Sequence, residues 1–159
     1  MKPRIGVIGG GVYGAQVIKT YYTAHREGLA DFVAVCDINR AVLDDLEKEY
    51  GIKGYLDYKE MVEAEKLDGV AIVTPDYLHR EIAAWCAGKG VHMLVQKPLD
   101  TTTAGAREMV EAANRNGVMM FVDFHKRYDP GHIQLKNDIA AGKLGKLQYG
   151  YVCMEDVIM

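Results

Sequence analysis

A glycine turn set between an apolar run and a helical run constrains this chain more than any other feature. Ile5-Gly-Val-Ile8 suits a strand buried on both faces, Gly9-Gly-Gly-Val-Tyr-Gly14 follows at once, and Val12 to Tyr22 carries Ala15, Val17, Ile18 and Tyr22 at helical spacing. Gly28 stops that helix, and Phe32 to Cys36 supplies the second buried run of a strand-helix-strand unit. In the pattern G-x-G-x-x-G, Gly9 permits the tight turn, Gly11 lets backbone approach a pyrophosphate, and Gly14 lets helix and strand pack closely. The helix N-terminus, opening at Val12 and Tyr13, offers free N–H groups to an anion. A glycine hexad alone also fits a plain strand-to-helix turn, so the rest of the chain has to discriminate.

The alternation continues along the sequence. Asn39 is placed to cap a helix that Gly51 stops, with Val42, Leu43, Leu46 and Tyr50 on its apolar face. A helix over 58–65 leads into a strand at 69–73, one over 79–89 into a strand at 91–95, and one over 103–116 into a strand at 118–122. Parallel neighbours need crossovers, and crossover helices cover both faces. The expected fold is therefore α/β, a Rossmann-type doubly wound parallel sheet over residues 1–125.

After that the pattern changes. Asp129 and Pro130 start a helix that Gly142 stops, and Leu147, Tyr149, Tyr151 and Cys153 alternate as a strand with two unlike faces. One helix and one strand bury too little to stand alone, so residues 126–159 are expected to begin a truncated second α/β domain. The exposed edges of that strand predict a homo-oligomer.

Composition bounds the partners. The 159 residues are 49% apolar and 26% charged, ordinary for a globular domain, and the formal charge of −3 is spread over interspersed acids and bases. That balance predicts neither nucleic acid nor a membrane as partner and favours a small molecule. No run approaches a membrane span or an export signal. Cys36, Cys86 and Cys153 are too scattered for a disulfide scaffold or a zinc cluster, which points to a reducing cytoplasm and no metal site. The eight methionines read as core filling.

Ligands of an open parallel sheet sit beyond the carboxyl ends of its strands. Asp37 closes the second strand at close to the distance, about 20 residues beyond the glycine turn, expected of an acid that binds ribose hydroxyls. A carboxylate there favours NAD; Arg40 nearby keeps NADP open, since a guanidinium pairs with a 2′-phosphate. Because S-adenosylmethionine-dependent methyltransferases share this first unit, later strand ends must decide. They read Thr74-Pro75-Asp76, Gln96-Lys97-Pro98 and Asp123-Phe124-His125.

Pro98 holds the residue before it extended and aims Lys97 into the crevice, through a bond whose cis or trans state is unreadable here. Its ammonium can hydrogen-bond a substrate hydroxyl as hydride leaves the same carbon; a solvated surface lysine is the alternative. His79 and His125 are candidate proton carriers by residue type, since imidazole as a group titrates near neutral pH, but the neighbouring sequence shows no recognisable local partner for either, so structural or substrate-orienting roles are preferred. Tyr13 either lies against a cofactor or packs on the sheet.

Together, Ile5-Gly-Val-Ile-Gly-Gly-Gly-Val-Tyr-Gly14, Val35-Cys-Asp37, Thr74-Pro-Asp-Tyr-Leu-His79, Gly88-Lys-Gly-Val-His92 with Gln96-Lys-Pro98, and Phe124-His-Lys-Arg-Tyr-Asp-Pro130 resemble the Gfo/Idh/MocA oxidoreductase family. The segment through Ile133 and Gly142-Lys-Leu-Gly145 looks especially like inositol dehydrogenases. The resemblance implies an NAD(P)-dependent oxidoreductase that moves a hydride between nicotinamide and the hydroxyl-bearing carbon of a sugar, cyclitol or related polyol. NAD is the expected cofactor and NADP stays open. It makes Lys97 the catalytic lysine and assigns Gly9, Gly11, Val12, Tyr13, Gly14, Asp37, Arg40, Thr74, Pro75, His79, Gln96 and Lys97 to cofactor binding. By the same resemblance Lys97, His125 and Arg127 would face the substrate.

Two departures stand out. The family's usual Glu-Lys-Pro is Gln96-Lys97-Pro98 here, and no Asp-x-x-x-His pair, the family's usual acid/base, follows residue 130. Two function classes are therefore carried: the N-terminal, cofactor-binding portion of a dehydrogenase, and a non-catalytic NAD(P)-binding module or sensor. The first is preferred, because Lys97 and the 124–130 segment resemble an active site that a pure binder has no use for.

Overall fold

In the computed structural model, which describes residues 1–153, six strands form one parallel sheet: β1 (Arg4–Ile8), β2 (Asp31–Cys36), β3 (Lys53–Tyr55), β4 (Gly69–Ile72), β5 (His92–Gln96) and β6 (Met120–Asp123). Their order is β3-β2-β1-β4-β5-β6. The chain starts in the middle, winds outward through β2 and β3, then returns across β1 to build the other half. The reversal between β1 and β4 leaves a crevice at their carboxyl ends, where ligands of such sheets bind.

Five helices make the crossovers: α1 (Val12–Arg26), α2 (Arg40–Tyr50), α3 (Tyr58–Glu65), α4 (His79–Gly88) and α5 (Thr103–Arg115). Their ends follow local chemistry. The side chains of Asn39, Asp57 and Thr102 accept hydrogen bonds from Ala41, Lys59 and Gly105 N–H, and Gly51 ends α2 in the left-handed region.

Because strand side chains alternate between faces, the sheet divides the core in two. Val7, Val35 and Ala71 pack with Ile18 and Leu43 on the α1/α2 side, whereas Ile8, Ala34, Val70 and Ile72 pack with Met61, Ile82, Cys86 and Met109 on the other. All four residues of β4 are buried, the pattern of a parallel strand covered on both faces.

Two elements differ from the sequence expectation. β3 went unpredicted because three residues are too short to show a period and only Tyr55 among them is buried. The strand expected over 147–153 is a correction: Leu147, Tyr149 and Tyr151 are exposed and the segment is irregular. Alternation specifies a strand only where a neighbour supplies the ladder of backbone bonds, and no neighbour is present among the described residues.

Met1–Asp123 is one compact unit and a second begins at Phe124. The second holds a 3-10 turn over His125–Tyr128 and α6 (Pro130–Ala140), which the Asp129 carboxylate caps by accepting from Gly131 and His132 N–H at 2.9 and 3.2 Å. Residues 154–159 of the expected second-domain segment lie outside the described residues. Among the described residues, no helix is long and apolar enough to cross a membrane.

Candidate functional site

The glycine turn after β1 is held from three sides. Gly9 has φ of +107°, donates its N–H to the Cys36 carbonyl at 2.8 Å, and would bring a Cβ within 2.7 Å of the Val73 carbonyl oxygen. A Cβ on Gly14 would overlap the Gly9 carbonyl oxygen, so α1 can sit this close to β1 only without one. Gly11 is the opposite case: nothing lies within 4 Å of where its Cβ would stand. The backbone there faces open space, the opening an approaching phosphate requires. Gly10, which the sequence pattern leaves unspecified, is also tight, with Val42 and Leu46 side chains 2.8 and 3.2 Å from a Cβ.

Asp37 follows β2 and is tied to this turn. One carboxylate oxygen accepts the Gly10 N–H at 2.7 Å and the other the Asn39 N–H at 2.8 Å. Arg40 is not brought to it: the guanidinium lies along α2, 2.8 Å from Asp44 and 3.4 Å from Glu47.

A cleft of about 610 Å³ opens between these residues and the end of β4. Gly9, Gly11, Asp37, Thr74 and Pro75 line it, joined by Ile38, Leu56, Tyr58, Tyr77, Leu78 and Ile82, which sequence reasoning missed. Ile38 is 93% and Tyr77 71% exposed, apolar groups left at the mouth with a flat ring's worth of surface to cover. Thr74 and Tyr58 both line the cleft, and the hydroxyls of both are buried with no hydrogen-bond partner among the described residues. Burial pushes the Tyr58 hydroxyl and the Cys36 thiol up to about 12, so both are neutral at physiological pH.

His79 lies beneath the site. It is fully buried at the start of α4, with Nε2 2.9 Å from the Thr74 carbonyl oxygen and Nδ1 3.0 Å from that of Pro98. One ring thus clamps the loops that leave β4 and β5. Lys97 is exposed at the end of β5, its bond to Pro98 is cis, and its N–H donates to Gln96 Oε1 at 2.9 Å. Gln96 Nε2 donates to Asp123 Oδ2 at 3.0 Å, and the Tyr13 hydroxyl donates to the same oxygen at 3.3 Å. Val12 opens α1 and is exposed. His125 and Arg127 belong to the second unit, in its 3-10 turn, where the Arg127 guanidinium stands 6.0 Å over the Phe124 ring.

The loop after Lys97 is braced by Asp100, whose side chain is only 4% exposed and accepts the Thr102 N–H and hydroxyl at 2.8 and 2.9 Å. The Thr102 N–H holds this carboxyl below its usual range against the opposing effect of burial, with the Thr102 hydroxyl, Arg80 and His79 adding to it. Asp100 therefore contributes stability above the ordinary carboxylate pKa near 4 that is lost as pH falls through its lowered value. Asp100→Asn is expected to melt below the wild type at neutral pH and to converge with it in acid. Parallel melting curves at every pH would contradict this.

Among the described residues, no group of three or more His, Cys, Asp or Glu side chains is arranged to hold a metal ion. The family model for Gfo/Idh/MocA, an oxidoreductase family with an NAD-binding Rossmann fold, matches residues 3–124. The chain is 30% identical over 149 residues to inositol 2-dehydrogenase of Salmonella typhimurium, covering 92% of this chain and 44% of that protein. It is 34% identical over 144 residues to the rhizopine catabolism protein MocA of Rhizobium meliloti, covering 91% and 44%. The WlbA dehydrogenase of Bordetella pertussis, solved in complex with NADH and UDP-GlcNAcA, matches with a TM-score of 0.83 at 28% identity, over 91% of this chain and 44% of that one. The chain thus spans less than half the length of these relatives.

Proposed function

This chain belongs to the Gfo/Idh/MocA oxidoreductase family, and on that premise we propose that its first unit holds NAD(H) along the carboxyl ends of the sheet. The Asp37 carboxylate, fixed on the glycine turn at the mouth of the cleft, carries this reading. Gly11 and the N-terminus of α1 would receive the pyrophosphate, Asp37 the ribose hydroxyls, and Ile38, Leu56 and Tyr77 the adenine. The open space at Gly11 fits such a ligand, as does the Thr74 hydroxyl, which has no hydrogen-bond partner among the described residues.

The nicotinamide, when bound, supplies the hydride acceptor or donor. The chain's own share is positional. Lys97 presents an ammonium that holds the substrate oxygen as the C–H bond is made or broken, and Thr74 and His79 fix the loops around it. The substrate class we propose for the whole protein is a cyclitol, sugar or related polyol, which the names of the relatives support. His125 and Arg127 are proposed to face it. Buried, unpaired thiols at Cys36 and Cys86 support a reducing cytoplasm. The exposed apolar residues of α6, Ile133, Leu135 and Ile139, support a homo-oligomer, which light scattering tests.

The cofactor reading is tested by fluorescence titration of the chain with NADH and NADPH. NADH is expected to bind at least about tenfold more tightly, because a 2′-phosphate would meet the Asp37 carboxylate while Arg40 is engaged by Asp44 and Glu47. Asp37→Asn should weaken NADH roughly 10- to 100-fold, the worth of hydrogen bonds to a charged group, and narrow the preference. Binding of neither cofactor would overturn the proposal. Turnover of myo-inositol or glucose beside the titration then tells a working dehydrogenase from a binding module.

A further inference from the structure

The side chain at position 96 does two things at once. On one atom it accepts the Lys97 N–H, and on another it meets Asp123, its register partner across β5 and β6. An ionised aspartate only accepts, so the group facing it must donate; the group facing Lys97 N–H must accept. A primary amide satisfies both, and a glutamate does not. Glutamate at 96 would set two carboxylates about 3 Å apart, a distance at which one of them keeps a proton.

We infer that Gln96 and Asp123 act as one unit in which Asp123 carries the carboxylate that Glu-Lys-Pro sequences place next to the lysine, and that this unit sets the position of Lys97. Asp123 is thus a positioning residue that works through Gln96. Tyr13 completes the unit from α1, donating to the same carboxylate oxygen. Burial pushes its hydroxyl above the ordinary range, a hydrogen bond to Gln96 opposes, and Asp123 adds to the rise, so it remains a donor. Burial and then Asp123 raise Tyr21 in the same way. Among the described residues, Tyr13 and Gln96 hydrogen-bond the carboxylate and Tyr21 lies within its electrostatic reach. The inference rests on the proposed cofactor site only for its NADH readout.

The test is a double-mutant cycle on the full chain: Gln96→Glu, Asp123→Asn and the swap of both. In the swap, the amide now at position 123 donates to the carboxylate now at position 96. That carboxylate still accepts the Lys97 N–H, and the amide nitrogen at 123, standing where Asp123 Oδ2 stood, donates its second hydrogen to the Tyr13 oxygen. Three quantities are read: the unfolding midpoint, the ¹³C signal of reductively methylated Lys97 (assigned with Lys97→Arg), and NADH affinity. Gln96→Glu should shift the Lys97 signal and weaken NADH roughly tenfold at neutral pH, about 1.4 kcal/mol. Its defect should fade as pH falls and the pair takes up a proton, since the folded state then binds more protons than the unfolded one. Asp123→Asn should have a smaller, pH-independent effect, and the swap should return all three readouts to within about twofold of wild type. A swap as impaired as the sum of its parts would overturn the inference. If the wild type binds no NADH, the cofactor reading fails, while the midpoint and the Lys97 signal still decide this one.

Discussion

Gly14→Ala is expected to abolish measurable NADH binding and to destabilise the chain by about 3 kcal/mol, at the upper end for overpacking a tight site. The new Cβ would overlap the Gly9 carbonyl oxygen, and Gly9 has nowhere to retreat. Its N–H is bound to Cys36, and the Val73 carbonyl closes its other side. Relief requires α1 to move off β1, and Ile18, fully buried between them and α2, would lose its packing. Gly11→Ala is the companion experiment. With no atom within 4 Å and an extended backbone at φ −63°, alanine fits there, and stability should change by no more than about 1 kcal/mol. NADH should nevertheless bind much more weakly, because the methyl fills the opening to the turn. Denaturant unfolding and NADH titration of the two variants separate a glycine needed by the fold from one needed by the ligand. Equal stability of Gly14→Ala and wild type would refute the close-packing explanation.

His79→Leu should cost roughly 2 to 4 kcal/mol although the side chain volume is nearly kept. The imidazole is fully buried and its two partners, Thr74 and Pro98 carbonyl oxygens, only accept. Leucine leaves them to face an apolar group. The loss should appear twice, as a lower denaturation midpoint and as weaker NADH binding, since both loops that carry Thr74 and Lys97 lose their common brace. His79→Asn, which still donates to one carbonyl, should recover part of the stability. A His79→Leu variant with wild-type stability and affinity would show that the clamp has no energetic weight.

Much of the site was legible because its logic is local. Gly9, Gly11 and Gly14 announce a turn by spacing alone, Asn39 and Gly51 announce the ends of α2, and Pro98 announces the end of β5. The helix expected over 58–65 is Tyr58–Glu65 in the structure, with Asp57 next to it in sequence as its cap. What stayed hidden joins residues distant in sequence. Asp123 meets Gln96 only because β5 and β6 pair in register, and Gly10 is crowded only because α2 packs over the turn. The partners of His79 were hidden for two reasons: the near one is a backbone carbonyl, that of Thr74, which no residue type announces, and the other, that of Pro98, lies beyond a whole crossover helix and strand.

The strand order makes the same division plain. Periods of hydrophobicity specify which segments are strands and helices, and the crossover rule then makes the sheet parallel, so the fold class needs no coordinates. Local patterns carry no information on pairing. A three-residue segment became β3 because β2 offered it an edge, whereas the well-alternating 147–153 segment stayed irregular among residues that offer none. The glycine turn was visible from residue types, yet which of its glycines guards the fold and which guards the ligand depends on what the fold sets against each: the Gly9 carbonyl, itself backed by Val73, against Gly14, and open space at Gly11. A backbone hydrogen-bond ladder and a steric contact both need two partners, and only the folded chain brings the second one within reach.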